Sequence, residues 1–124
     1  MAVERYCAPE SVAEAVALLD PATGAAAFAG GTDLLVQMRA AVRSPATLVD
    51  LKRIPGLAGV EFAPDAVRIG AATRCGELTS NEELRALWPG LLEAAGLIGS
   101  TQVQGRASLG GNLCNASPAA DSVP

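Results

Sequence analysis

The 124-residue sequence contains no histidine. That absence removes Ser-His-Asp and Cys-His nucleophilic sites, histidine-ligated metals and imidazole acid–base chemistry. Lysine occurs once, and aromatic residues make up only 3%. The formal charge is 9 − 13 = −4, without a basic run. A nucleic-acid partner is therefore not expected, since both phosphate contacts and stacking platforms are scarce. No segment reaches the ~18 consecutive apolar residues of a membrane helix. Met1–Ala8 lacks the basic-then-apolar order of a secretory leader, so the expectation is a soluble, cytoplasmic protein. The three cysteines, Cys7, Cys75 and Cys114, lie far apart with no C-x-x-C pair. They are expected to be reduced and buried, and an intrinsic iron–sulfur or zinc site needs more ligands than the chain offers.

What is present is small and apolar. Hydrophobic residues make up 50% and charged residues 18%, enough for a packed core in one ordinary domain or part of one. The 25 alanines and 13 glycines reflect a GC-rich coding bias more than a function. Arg5–Ala8 reads as a short strand stopped by Pro9. Ser11 and Glu14 then form a capping box, and Val12, Val16 and Leu19 make the apolar stripe of a helix ending near Asp20-Pro21. Ala25–Ala29 is an apolar run closed by Gly30-Gly31. Leu34, Leu35, Met38 and Val42 mark a second helix, and Thr47–Leu51 another strand. Strand, glycine turn, helix and strand make a βαβ unit with parallel strands and a right-handed crossover.

Near residue 52 the pattern changes, and a subdomain boundary is placed there. Val60 and Phe62, then Val67, Ile69 and Ala71, alternate with more polar residues on either side of Pro64-Asp65, as an antiparallel hairpin would. Two helices are expected at roughly Cys75–Leu87 and Pro89–Gly99, the second with Leu91, Ala95 and Ile98 on one side. Thr101–Pro124 is crowded with small and polar residues and has almost no helical period. So long a connection is expected to be functional or to line a ligand.

Two glycine sites stand out. Residues 29–35, AGGTDLL, follow a strand and open a helix, where unpaired backbone N–H groups can meet a phosphate. Glycines there let the backbone approach a ligand. Neither the dinucleotide fingerprint nor the P-loop pattern is met. A plainer reading is a tight turn with Thr32 as N-cap and Asp33 in the first helical turn. An aspartate aimed at a phosphate would also repel it. Ser108–Asn112, SLGGN, again pairs glycines with short polar side chains, and Asn115, Ser117 and Asp121 follow. Serine and asparagine suit ribityl or ribose hydroxyls, and glycine N–H groups suit pyrophosphate. A surface loop of turn formers is the alternative. Together, with no lysine or histidine nearby, the two sites point to a large anionic cofactor bound by backbone.

AGGTDLL at 29–35 and SLGGNLCNASPAADSVP at 108–124 closely resemble the FAD-binding subunit or domain of the molybdenum hydroxylases, of xanthine dehydrogenase and aerobic carbon monoxide dehydrogenase type. Pro9-x-Ser11, Leu48-Val49-Asp50-Leu51, Ile69–Thr73 and Ile98-Gly99-Ser100 extend the resemblance along the whole chain. It implies an α+β fold of two α+β subdomains with FAD in the cleft between them. The first, at 1–51, is a small parallel βαβ unit. The second, at 52–124, begins a mainly antiparallel sheet with helices and is incomplete.

The resemblance further implies that Ala29, Gly30, Gly31, Thr32, Asp33 and Leu34 wrap the FAD pyrophosphate, mainly through backbone N–H groups. Ser108, Leu109, Gly110, Gly111 and Asn112 would contact the cofactor from the other side, with Asp121 near the flavin end. The implied partners are a large subunit with a molybdenum cofactor and a small iron–sulfur subunit. Electrons would pass from iron–sulfur clusters to this flavin and on to NAD, oxygen or another acceptor. Flavin carries that chemistry itself, so no catalytic side chain is expected. Two departures stand out: Gln104-Gly105 replaces a common Arg-Asn, and Asp121-Ser122-Val123-Pro124 stands where Leu-Pro often follows the aspartate. Family members continue beyond this point, so the chain is expected to be a fragment. The alternatives are a piece that keeps the fold but binds no flavin, and a stand-alone module preferring ADP or NAD.

Overall fold

The fold was obtained as a computed structural model that describes residues 3–123. Ser11 accepts a hydrogen bond from the Glu14 N–H at 3.2 Å, and the Glu14 carboxylate accepts from the Glu10 N–H at 3.1 Å. This reciprocal pair starts α1 (Val12–Leu18). The buried side of α1 is not the expected stripe. Val12 and Val16 are 56% and 65% exposed, while Ala15, Leu18 and Leu19 pack against Val49 and Ile54. An alanine-rich helix of two turns offers several rows of similar hydrophobicity, and the sheet takes the one carrying the small Ala15.

Strands β1 (Arg5–Cys7), β2 (Ala25–Phe28) and β3 (Thr47–Asp50) form a parallel sheet in the order β1-β3-β2, with Tyr6 and Ala26 both level with Leu48. The central strand is covered, and Leu48, Val49 and Asp50 are all buried. Helix α2 (Leu34–Arg39) connects β2 to β3, as the sequence pattern requires, and buries Leu34 and Met38 on Ala26 and Leu48. It stops earlier than expected. Ala41 takes a left-handed conformation at φ 56°, which turns the chain away and leaves Val42 exposed rather than on the apolar face.

The expected hairpin is β4 (Val60–Phe62) paired antiparallel with β5 (Val67–Ile69), Glu61 opposite Arg68. Val60, Val67 and Ile69 pack on Leu78, Leu84 and Leu92. The helix expected over Cys75–Leu87 is two, α3 (Cys75–Thr79) and α4 (Glu82–Leu87). Asn81 breaks them apart: its extended backbone frees its side chain to cap α4 through the Leu84 N–H at 2.9 Å. Helix α5 (Pro89–Leu97) starts on Pro89 and buries Leu92 and Ala95, with Ile98 buried just beyond.

The tail differs from its expected irregular course. It contains α6 (Thr101–Gln104) and α7 (Leu109–Cys114), capped by Ser100 and Ser108 and too short to show a period in the sequence. The Cys75 N–H donates to the Ala107 carbonyl at 2.7 Å, and Arg74 bridges antiparallel to Ser108, which ties the tail to the start of α3. Of the thiols, Cys75 is buried and Cys7 half-buried, but Cys114 is exposed at the end of α7, contrary to the expectation of burial.

Candidate functional site

Strand β2 ends at Phe28 and α2 begins only at Leu34, leaving a loop at the end of an edge strand. Among the described residues, the N–H groups of Ala29 through Leu34 donate to no protein acceptor. The expected Thr32 cap is not made. Asp33 takes the N-cap position instead, and its helical backbone (φ −97°, ψ −48°) leaves its side chain without a capping bond. The open donors therefore remain available to an anion.

The glycines are there for different reasons. Gly31 has φ 76°, and a Cβ on it would lie 2.5 Å from the Phe28 ring. A Cβ on Gly30 would lie 2.0 Å from the Arg106 carbonyl oxygen, and one on Gly110 2.5 Å from the Ala71 carbonyl oxygen. Close packing of one backbone on another thus requires glycine at 30 and 110. This gives Gly30 a packing reason beside the ligand approach expected at 29–35, and Gly110 one that the sequence did not suggest. Gly111 is more open: its Cβ would meet only the Ser108 hydroxyl oxygen, at 3.0 Å.

The sequence reading placed no lysine near the first motif, and the structure brings one there. Lys52 Nζ lies 2.8 Å from the Ala29 carbonyl oxygen and 2.8 Å from Asp50 Oδ1, over the Phe28 ring at 4.4 Å. Asp50, at the end of β3, is 5% exposed and also accepts from the Lys52 N–H at 2.9 Å and from the Tyr6 hydroxyl. Burial pushes its carboxyl up, but the bonds from Lys52 and Tyr6 outweigh this and hold its pKa below the ordinary value. The bond to that carboxylate, more than burial, raises the Tyr6 hydroxyl.

The second motif docks against the first. Ser108, 3% exposed, caps α7 by accepting from the Gly111 N–H at 3.0 Å. Arg106 Nε donates to the Gly30 carbonyl at 3.0 Å, and Gln37 Nε2 donates to Asn115 Oδ1 at 2.8 Å. Asn112 Oδ1 accepts from the Ser122 N–H at 3.3 Å and from its hydroxyl.

Between the motifs lies a cavity of about 330 Å³, within the size range of small-molecule sites. Its lining includes Ala29, Gly30, Gly31, Thr32, Asp33 and Leu34 from the first motif, and Ser108, Gly110, Gly111 and Asn112 from the second. Two expected site residues stand outside it. Leu109 packs among the buried helix residues, and Asp121 is exposed. The sequence reading missed Gln37 and Arg43, which also line the cavity. Gln37 sits on α2 beside its buried face, and nothing in the sequence marks Arg43 among eight arginines. Cys114 lines the cavity too. Among the described residues no group of three or more His, Cys, Asp or Glu could hold a metal ion, and no helix is long and apolar enough to cross a membrane.

Residues 1–124 match the family described as the FAD binding domain in molybdopterin dehydrogenase. The carbon monoxide dehydrogenase medium chain of Hydrogenophaga pseudoflava is 41% identical over 117 residues, 94% of this chain and 41% of that one. The xanthine dehydrogenase FAD-binding subunit of Escherichia coli O157:H7 is 34% identical over 119 residues, 95% of this chain and 41% of that one. Among solved structures, the reconstituted CO dehydrogenase from Oligotropha carboxidovorans gives a TM-score of 0.90 at 34% identity, covering 98% of this chain and 43% of that one.

The class is therefore an α+β flavin-binding module. The chain belongs to the family of FAD-binding domains of molybdopterin dehydrogenases, the medium subunits of the molybdenum hydroxylases, and FAD is its cofactor. It spans about two fifths of the length of the curated relatives it matches. The residues present fit the cofactor: a row of backbone donors without acceptors, small side chains around them and one cation, Arg43, in the lining.

Proposed function

We propose that the cavity between the two motifs holds FAD, and that the chain serves as the flavin-bearing part of a larger molybdenum hydroxylase. One observation carries this reading: two segments far apart in the sequence meet across one cavity, one of them offering six N–H groups without a protein acceptor among the described residues. Ala29–Leu34 would take the pyrophosphate. Ser108, Gly110, Gly111 and Asn112 would hold the cofactor from the opposite wall, with Leu109 anchoring that wall to the helices behind. Asp121 would stand by the flavin end, placed by the bond between its neighbour Ser122 and Asn112. Residues 1–51 and 52–124 are assigned to two subdomains on the support of two separate sheets.

Bound flavin supplies the redox chemistry, which agrees with a site that has no imidazole. The chain's own residues bind and orient. We infer a molybdenum-cofactor large subunit and an iron–sulfur small subunit as partners. Iron–sulfur clusters would be the electron source, and NAD, oxygen or another molecule the acceptor. The words "medium chain" in a relative's name support such an assembly. Three cysteines without a disulfide suit the cytoplasm.

The test is an equilibrium titration of the purified chain into FAD, following flavin fluorescence, with ADP and NAD as competitors. Saturable quenching that ADP reverses is the expected outcome. No change at high protein concentration, or tighter binding of ADP or NAD than of FAD, contradicts the proposal.

A further inference from the structure

Two consecutive carbonyls of the first motif are each held by a cation from elsewhere in the chain. The Ala29 carbonyl accepts from Lys52 Nζ at 2.8 Å, and the Gly30 carbonyl accepts from Arg106 Nε at 3.0 Å. No peptide among the described residues is cis. In a trans peptide the C=O and the N–H that follows it point to opposite sides. Gripping the Ala29 carbonyl therefore aims the Gly30 N–H away from Lys52. Gripping the Gly30 carbonyl likewise aims the Gly31 N–H away from Arg106. Neither N–H has a protein acceptor among the described residues, and both glycines line the cavity.

Lys52 is anchored at its ammonium head, and Arg106 at its backbone. Lys52 is held by Asp50 Oδ1 at 2.8 Å and lies over the Phe28 ring, while Asp50 is itself bonded to Tyr6. The backbone at Arg106 is pressed against Gly30 so closely that a Cβ there would overlap its carbonyl. Two adjacent glycines would otherwise let these peptide planes rotate, since glycine populates both signs of φ.

We propose that Lys52 and Arg106 are positioning residues for a diphosphate. They lock two successive peptide planes so that the Gly30 and Gly31 N–H groups face the phosphate oxygens together. Bonds from charged donors also polarise each peptide, which makes its N–H a stronger donor. A pair of donors fixed in advance binds more tightly than one that must be ordered by the ligand. The inference rests on the reading that this loop takes the FAD pyrophosphate, and it assigns the arrangement of that loop to two side chains that need not touch the ligand.

The test uses Lys52→Met and Arg106→Leu, which remove each cation while keeping an apolar stem. The measurements are the backbone amide NMR signals of Gly30 and Gly31 in the ligand-free chain, and dissociation constants for FAD, ADP and riboflavin. Lys52→Met is expected to move the Gly30 signal more than that of Gly31, and Arg106→Leu the reverse. Each variant should weaken FAD and ADP about tenfold, the scale of one charged hydrogen bond. Riboflavin, which has no diphosphate, should bind as it does to the parent, and Lys52→Arg should restore most of the loss. If the parent binds FAD and both variants bind it equally well with unmoved glycine signals, the inference is overturned and the FAD reading stands. If the parent binds neither FAD nor ADP, the FAD reading fails and the diphosphate role fails with it. Melting of each variant is followed in parallel, and should Lys52→Met unfold, the exposed Arg106 decides through Arg106→Leu.

Discussion

Asp50 and Lys52 are separated by one residue, yet they organise a loop that begins more than twenty residues earlier. Their geometry has a pH consequence with a definite sign. The Asp50 pKa is lowered on folding, so its contribution to stability is full above the unfolded carboxylate value. It is lost as pH falls through the lower folded value. The Tyr6 pKa is raised, so its contribution is present below the unfolded tyrosine value of about 10 and lost as pH rises through the folded one. Melting temperature against pH should therefore fall at both ends for the parent, and Asp50→Asn should flatten both arms. Arms of unchanged slope in Asp50→Asn would show that the network does not couple to folding. None of this was legible in the sequence. A lysine following a strand is unremarkable there, and its partner Ala29 is 23 residues away. The glycines at 30 and 31 were legible as a special site, but the reason for Gly30 was not, because the Arg106 carbonyl that excludes a side chain lies 76 residues on.

Elements with strong local chemistry were readable. The Ser11–Glu14 pair, the Pro64-Asp65 turn between alternating runs and the strand–glycine–helix–strand order all appear where their residues predict. Elements whose ends depend on one cap or one turn were not. Asn81 splits a helix in two, and Ala41 ends α2 early, although neither interrupts the apolar pattern. The faces of α1 were unreadable because its valines, alanines and leucine are spread around the helix rather than gathered in one row. The hairpin carries a further consequence. Among the described residues β4 and β5 pair only with each other, so each presents an open edge. The isolated chain should self-associate as concentration rises, seen as a growing mean mass in light scattering. A monodisperse monomer with cooperative melting at every concentration would contradict this.

Across the whole molecule, the residues of the site were legible as two motifs, while their meeting was not. Sequence periodicity reports what is local, whereas the cavity depends on contacts such as Gly30 with Arg106 and Gln37 with Asn115. These contacts bring most of the expected residues to one cavity. They leave Leu109 behind the wall and Asp121 outside it, and they add Gln37 and Arg43. The absence of histidine agrees with the proposed reading, in which the protein would arrange main-chain donors and leave the redox chemistry to the cofactor. The most direct measurement is therefore an amide NMR map of the chain titrated with FAD. Signals from Gly30–Leu34 and from Ser108–Asn112 should move together, with one common saturation curve, while those of α1 and the hairpin stay in place. Shifts confined to one motif, or lying away from both, would contradict the cleft assigned here.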